Sequence, residues 1–464
     1  MKDLGILRQI IYYFRREKMK KTTFLFMLVF MLVLLTACGG ESDSSGGDAD
    51  ESNTVGDDIE GATELTFWTF AGTHADFFSN AAERWNEEFP ENPIQLTAET
   101  YPFDQMHNNL LLALQSDSGA PDIADIEIAK FPNYLQGDIQ LEPLNEYIEP
   151  EIDNFVSERL DIYAKDGNYY GAPTHLGPTV VFYNQEIMDE AGVDIDSIET
   201  WDDYVEAGKQ VVDETGTPMT SVPNNWYGIW PYVAQRGSDF FDENGELTLD
   251  NQKNVETLRF INNMVNEHEI AITTPGNGYH TEEFYGFMND GGQASIVIPM
   301  FYMKDFTEYM PDLEGKMQIR PMPTWSGSDI QSVAMGGTGT AVTSQSEHVE
   351  LAKEFVAYAK LSKKGNIQLW KELGFAPTRW DVWESPELNE NNEYYEYFHD
   401  DIFDVLLDIR DDVTGVNLTE YSPDVLSEID SNIMHNVIRE QNQTPKEALE
   451  QSADTIRQNM EDTQ

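Results

Sequence analysis

The stretch "TELTFWTFAGTHADFFSNAAERWNEEFP", residues 63–90, changes texture partway along. Its first eight residues are crowded with β-branched and aromatic side chains, which suit an extended strand. From His74 the spacing changes, and Phe77, Ala81, Trp85 and Phe89 recur every four residues on one helical face. The alternation then repeats. "PIQLTAETY" (93–101) reads as a strand, "FDQMHNNLLLALQSD" (103–117) as a helix, and "PDIADIEIAKF" (121–131) as a strand entering a loop. Strands alternating with helices predict an α/β domain with a mostly parallel sheet. The C-terminal third is mainly helical in pattern, as in "HVELAKEFVAYAKL" (348–361) and "TPKEALEQSADTIRQNM" (444–460), the latter with a Thr444–Glu447 capping box. No internal repeat is present.

Upstream, Lys18, Lys20 and Lys21 precede the unbroken apolar run "FLFMLVFMLVLL" (24–35). The run has the charge and length of a secretory segment and is short for a membrane-spanning helix. Small residues Thr36 and Ala37 lead into Cys38, the single cysteine of the chain. "LTAC" resembles the lipobox of bacterial lipoproteins, which implies cleavage before Cys38, acylation of its sulfur and attachment to the outer face of the cell membrane. Residues 1–37 are then the signal peptide, with Met19 the better start. Residues 38–61 carry Gly, Ser, Asp and Glu with few apolar side chains, and read as a flexible tether.

The 464 residues include 28 Lys and Arg against 84 Asp and Glu. Seven of the basic and two of the acidic residues precede Cys38, which leaves a net charge of −61 from Cys38 onward. Nucleic acid and anionic lipid would be repelled, so neither is expected as a partner, and membrane contact is expected through the lipid alone. With one cysteine there is no intramolecular disulfide, and the fold must rest on its apolar core.

Signatures of catalysis are sparse. No G-x-S-x-G elbow and no Walker A sequence occurs, and "GGTGTAV" (336–342) lacks the third glycine of a dinucleotide fingerprint. "FDENGELTLDN" (241–251) resembles a calcium loop, but the first and twelfth ligand positions fall on Phe240 and Asn251. It reads instead as a hairpin turning at Asn244–Gly245. His268–Glu269 lacks the second histidine of a zincin motif. No metal or cofactor is expected, and carboxylates are too numerous for any pair of them to signal glycosidase chemistry.

Aromatic residues are more telling. Trp68, Trp226, Trp230, Tyr302, Trp325 and Trp380 sit beside turn residues or at strand ends. Each alone reads best as core, but together with polar neighbours they suit a sugar, whose C–H face packs on rings and whose hydroxyl rim meets polar groups.

The chain resembles the extracellular solute-binding lipoproteins of carbohydrate ABC importers. The segments that carry the resemblance are "ELTFWTF", "QMHNNL", "PDIADIEIAKF", "YGAPTHLGPTVVFYN", "EEFYGFMNDGGQASIVIPMFYM", "GGTGTAVT" and "LWKELGFAPTRWDVW", between residues 64 and 383. Within the family they are most similar to binders of arabinose-containing oligosaccharides. The resemblance implies a periplasmic-binding-protein-like type II fold, two discontinuous α/β lobes joined by a hinge. The implied lobes are 62–176 plus 335–377 and 178–333 plus 380–464, with chain crossings near 175–178, 332–336 and 376–380. It implies no catalysis, a monomer, and delivery of an oligosaccharide to permease subunits driven by a separate ATPase. The alternative is a surface glycan-degrading glycosidase, since an aromatic cleft serves both.

The same resemblance supplies candidate ligand-binding residues. Trp68 and Phe70 would form an aromatic wall, and Glu127 and Lys130 would meet hydroxyls from the first lobe. His175 sits in the first crossing. Trp226, Trp230, Phe301 and Tyr302 would offer stacking faces in the second lobe. Gly336, Gly337 and Thr338 would bring backbone N–H groups to the ligand, and Arg379 would present an exposed donor fork.

Overall fold

The strand–helix alternation is realised between Thr63 and Glu127. The computed structural model describes residues 52–54, 59–398, 402–410 and 412–463. In chain order the elements used below are β1 (Ser52–Thr54), β2 (Thr63–Thr69), α1 (Gly72–Glu88), β3 (Ile94–Thr100), α2 (Phe103–Gln115), β4 (Ile123–Glu127), β5 (Ala172–Pro173), β6 (Thr179–Asn184), β7 (Ser295–Pro299), β8 (Met317–Pro321) and β9 (Thr338–Val342). The i, i+4 face read from the sequence is the one α1 buries: Phe77, Ala81 and Trp85 pack with Leu65, Phe67 and Leu96 of the sheet beneath.

Six strands form the larger sheet, in the order β1–β3–β2–β4–β9–β5. Its centre is parallel, with β2 paired to β3 and to β4. The flanks depart from the parallel expectation: β9 runs antiparallel to β4 and to β5. A parallel partner needs a crossover that returns the chain to the same end. β9 instead arrives after a long excursion, so it can insert from the opposite end. The smaller sheet, β7–β6–β8, is antiparallel throughout, with Phe182 opposite both Ile296 and Ile319.

The tether reading needs one correction. Ser52–Thr54 pairs antiparallel with Thr97–Glu99. Backbone pairing at a sheet edge needs no apolar side chain, so composition does not forbid it. The apolar run 24–35 and Cys38 lie outside the described residues. No helix among the described residues is long and apolar enough to cross a membrane.

Two local readings are realised. The segment 241–247 turns back on itself through a bridge between Phe241 and Leu247, with Gly245 N–H donating to Asp242 C=O at 2.9 Å. Thr444 and Glu447 form the capping box of helix Pro445–Thr463, Thr444 Oγ1 donating to the Glu447 carboxylate at 2.7 Å.

Three distant segments lie side by side between the two sheets. Leu176 N–H donates to Ala376 C=O at 2.9 Å, Met335 N–H to Gly177 C=O at 2.8 Å, and Thr174 N–H to Thr338 C=O at 3.1 Å. Beneath them is a buried ionic cluster. Asp125 of β4 receives Lys360 Nζ at 3.2 Å on one oxygen and faces His74 Nδ1 at 2.8 Å on the other. Burial alone would raise the Asp125 carboxyl, but Lys360, His74 and Thr340 outweigh it and hold the group below its ordinary range.

Candidate functional site

The carboxyl ends of the parallel strands carry the rings expected there. Trp68 and Phe70 follow from β2, Tyr101 follows β3, and Phe103 and His107 belong to α2. Trp68 meets Tyr101 edge-on at 5.2 Å, and Phe70 meets Phe103 edge-on at 5.0 Å and His107 at 5.2 Å. Trp68, Phe70 and Tyr101 stay partly exposed, as an aromatic wall requires. Lys130 lies over the Phe103 ring at 5.7 Å, with Asp104 3.6 Å from its ammonium.

Glu127 ends β4 on the floor beside this wall. Its side chain accepts Ala129 N–H at 2.8 Å, and its own N–H donates to His107 Nε2 at 3.0 Å. His107 Nε2 is therefore an acceptor, which leaves the ring proton on Nδ1, directed at Phe103 C=O 2.7 Å away. Burial holds this imidazole neutral by pushing it down to about 4. Burial also pushes the Glu127 carboxyl up to about 7, against the pull of Lys130 and Arg159. Burial pushes the phenol of Tyr227 above its ordinary range, and the Glu127 charge adds to that push.

A second run of rings crosses from the joining segments toward the smaller sheet. His175 packs against Phe375 at 4.8 Å and Phe301 at 5.3 Å. Phe301 stacks on His280 at 6.3 Å, His280 lies 5.6 Å from Tyr227, and Tyr227 stacks on Trp226 at 3.7 Å. Burial and the nearby Arg159 charge keep His175 well below the ordinary histidine range, so it is neutral. The structure thus gathers Trp68, Phe70, Glu127 and Lys130 into one group, and His175, Phe301 and Trp226 into another. Gly336 sits against this second run, since a Cβ there would stand 3.1 Å from the Phe301 ring.

Three of the expected residues, Arg379, Trp230 and Tyr302, are placed differently. Arg379 is not an exposed fork: it is 1% exposed. Its guanidinium is fully engaged by Asp381 at 3.0 and 2.9 Å, Leu361 C=O at 2.7 Å and Glu151 at 2.6 Å. Trp230 is 2% exposed, with its ring against Phe240 and its N–H on Asp239, so it offers no open face. Tyr302 is fully buried, its hydroxyl held by Tyr279 C=O. For Arg379, Trp230 and Tyr302 a protein group already claims the polar atoms. Thr338, whose backbone N–H is the group expected at the ligand, begins β9 with its side chain buried and its hydroxyl meeting that of Thr174.

Sequence reasoning passed over Tyr101, Phe103, His107, Arg159, Tyr227, His280 and Phe375. Tyr227, adjacent to Trp226, and His107, inside "QMHNNL", were within reach of it. Arg159 carries no local signal.

The architecture has solved counterparts. The GacH receptor of Streptomyces glaucescens, solved unliganded and with acarbose, superposes with a TM-score of 0.72 at 23% identity, covering 86% of this chain and 98% of its own. An ABC-transporter-associated binding protein from B. animalis subsp. lactis, in complex with beta-1,6-galactobiose, gives 0.71 at 21% identity, covering 85% of this chain and 97% of its own. These likenesses establish a periplasmic-binding-protein-like type II fold of two lobes joined by a hinge. Residues 71–365 match the family described as "Bacterial extracellular solute-binding protein", and the chain belongs to that family, one of binding proteins and not of enzymes. Among its relatives is an arabinooligosaccharide-binding protein of Halalkalibacterium halodurans, 59% identical over 89% of this chain and 93% of that protein. The arabinooligosaccharide-binding protein of Bacillus subtilis is 46% identical over 86% of this chain and 93% of its own length.

Proposed function

We propose that the protein captures an arabinose-containing oligosaccharide outside the cell and hands it to the permease of an ABC importer. The observation that carries this reading is the 59% identity, over nearly the whole of both chains, to a protein named for binding arabino-oligosaccharides. The site supports it: half-exposed rings face neutral imidazoles and a carboxyl near neutrality, which suits an uncharged, hydroxyl-rich ligand. In this reading the ligand lies between Trp68, Phe70, Glu127 and Lys130 on one lobe and Trp226 and Phe301 on the other. His175, Gly336 and Gly337 lie at its base. Arg379, Trp230 and Tyr302 support the site from within the core, and the Thr338 backbone lies beside Gly337 at the base.

The side-by-side segments support a hinge, with lobes of about 62–176 plus 335–377 and about 178–333 plus 380–464. The succession of basic start, apolar run and "LTAC" supports a lipid anchor on Cys38 of a monomer, facing outward. The protein itself neither cleaves sugar nor hydrolyses ATP. Titration calorimetry with arabino-, xylo-, malto- and galacto-oligosaccharides tests the ligand. Tight, saturable binding of the arabino series is expected, with the sugar recovered intact. Preferential binding of another series would displace the proposal.

A further inference from the structure

Gly336 and Gly337 take φ values of +65° and +105°, a backbone that side-chain-bearing residues avoid. A Cβ on Gly337 would stand 2.5 Å from Arg159 Nη2 and 3.3 Å from His175 Cε1. The two glycines therefore let the backbone pass closely over a group of polar side chains. Those side chains are incompletely satisfied. Arg159, in the short helix Ser157–Asp161, is 1% exposed, and Nη2 donates to Gly336 C=O at 2.7 Å. Its Nε and Nη1 have no partner, and neither has the buried Tyr163 hydroxyl or His175 Nδ1. The hydroxyl of Tyr163 lies beside the guanidinium but outside hydrogen-bonding geometry.

Folded proteins leave few buried polar atoms unpaired, because each one forfeits its bonds to water. Here four such atoms come from three side chains grouped around one stretch of backbone. Arg379 provides the contrast within this chain: equally buried, it is bonded through all three nitrogens by protein groups alone. An arginine that serves only the fold is finished off by the fold.

We infer that Arg159, Tyr163 and His175 form a polar subsite at the base of the cleft that hydrogen-bonds hydroxyls of the bound sugar, with Arg159 as its main donor. This rests on the arabino-oligosaccharide reading and extends it to named atoms. A hydroxyl suits the group because it can accept from the guanidinium and donate onward to Glu127, whose charge Arg159 feels, or to the neutral imidazole. An anionic sugar suits it less, since the guanidinium already feels the Glu127 charge and the chain carries a net charge of −56.

Calorimetric titration of wild type, Arg159→Lys and Tyr163→Phe with arabinotriose and its monodeoxy analogues tests the subsite, alongside melting curves without ligand. Arg159→Lys should bind about ten- to a hundredfold more weakly, and Tyr163→Phe about two- to tenfold, the scales for bonds to charged and neutral donors. Tyr163→Phe should melt like wild type when unliganded. A deoxy analogue that weakens wild-type binding should weaken binding to Arg159→Lys no further. Wild-type affinity in both variants would overturn the subsite and leave water as its occupant, as would losses that merely track a lower melting temperature. A wild type that bound no arabinotriose would overturn the ligand reading, and this inference with it.

Discussion

The indole N–H of Trp230 donates to Asp239 Oδ1 at 2.7 Å, inside the core that also holds Phe240. The same carboxylate accepts Asn417 N–H at 2.6 Å, so one buried acid ties together a helix and a distant loop. Trp230→Ala should therefore cost stability, about 3–5 kcal/mol by the scale of large-to-small core changes, and leave the affinity of the remaining folded protein near wild type. Urea unfolding and calorimetry on one preparation check both. A full-strength fold with lost binding would return Trp230 to the cleft.

Trp68 and Phe301 differ from Trp230 in keeping ring surface open. Alanine at either should weaken sugar binding by about 1–3 kcal/mol through lost apolar contact. The melting temperature without ligand should move little. Equal affinities across the set would remove both rings from the ligand site.

Lys360 and Asp125 form an ion pair with no access to water. Lys360→Met should destabilise by about 3–5 kcal/mol, because it leaves a buried carboxylate uncompensated, and adding Asp125→Asn should restore part of the loss. A double-mutant cycle in chemical denaturation measures the coupling. Additive losses would mean that the pair is not coupled.

Burial pushes the carboxyls of Glu127 and Asp430 up to about 7. Folded, such a group holds more protons than the unfolded chain between about pH 4 and 7, so its contribution to stability falls as pH rises through that window. His107 and His175, both pushed down by burial, act in the opposite sense: folded, they hold fewer protons, and their contribution rises with pH up to about 6.5. The carboxyl effect is best read by difference. Asp430→Asn and Glu127→Gln should each gain stability relative to wild type between pH 5 and pH 8. Melting curves that keep a constant offset across that range would show that neither carboxyl is perturbed.

Cys38→Ala should release the protein to the medium or leave an unprocessed precursor. Intact-mass measurement of the membrane fraction reads the acyl chains directly, and a mature form cut elsewhere without them would refute the anchor.

The elements most legible in the sequence were those whose evidence is local. The i, i+4 rings of residues 77–89 announced their helix, and Asn244–Gly245 announced its turn. What escaped notice depends on chain path. Nothing within residues 338–342 shows that they will pair antiparallel with residues 123–127. Rings close in sequence also diverge: Phe301 keeps an open edge while Tyr302 is buried, and Trp226 stays partly exposed while Trp230 turns inward. Local composition cannot say which neighbour faces out. Asp381, two residues on, holds two of the Arg379 nitrogens and was in plain view; only Glu151, more than two hundred residues away, is invisible from its surroundings. Arg159 was overlooked for the reverse reason, since only the structure reveals what it lacks.

The backbone bonds that knit residues 174–178, 334–338 and 376–379 together set a mechanical condition. None of the three strips can twist alone without tearing amides from its neighbours, so the bundle flexes like laminated plies. Such pairing resists sliding, which would break its bonds, more than bending, which keeps them. If the proposed sugar bends the three strips together, a slight tightening where they meet becomes a larger sweep far from them.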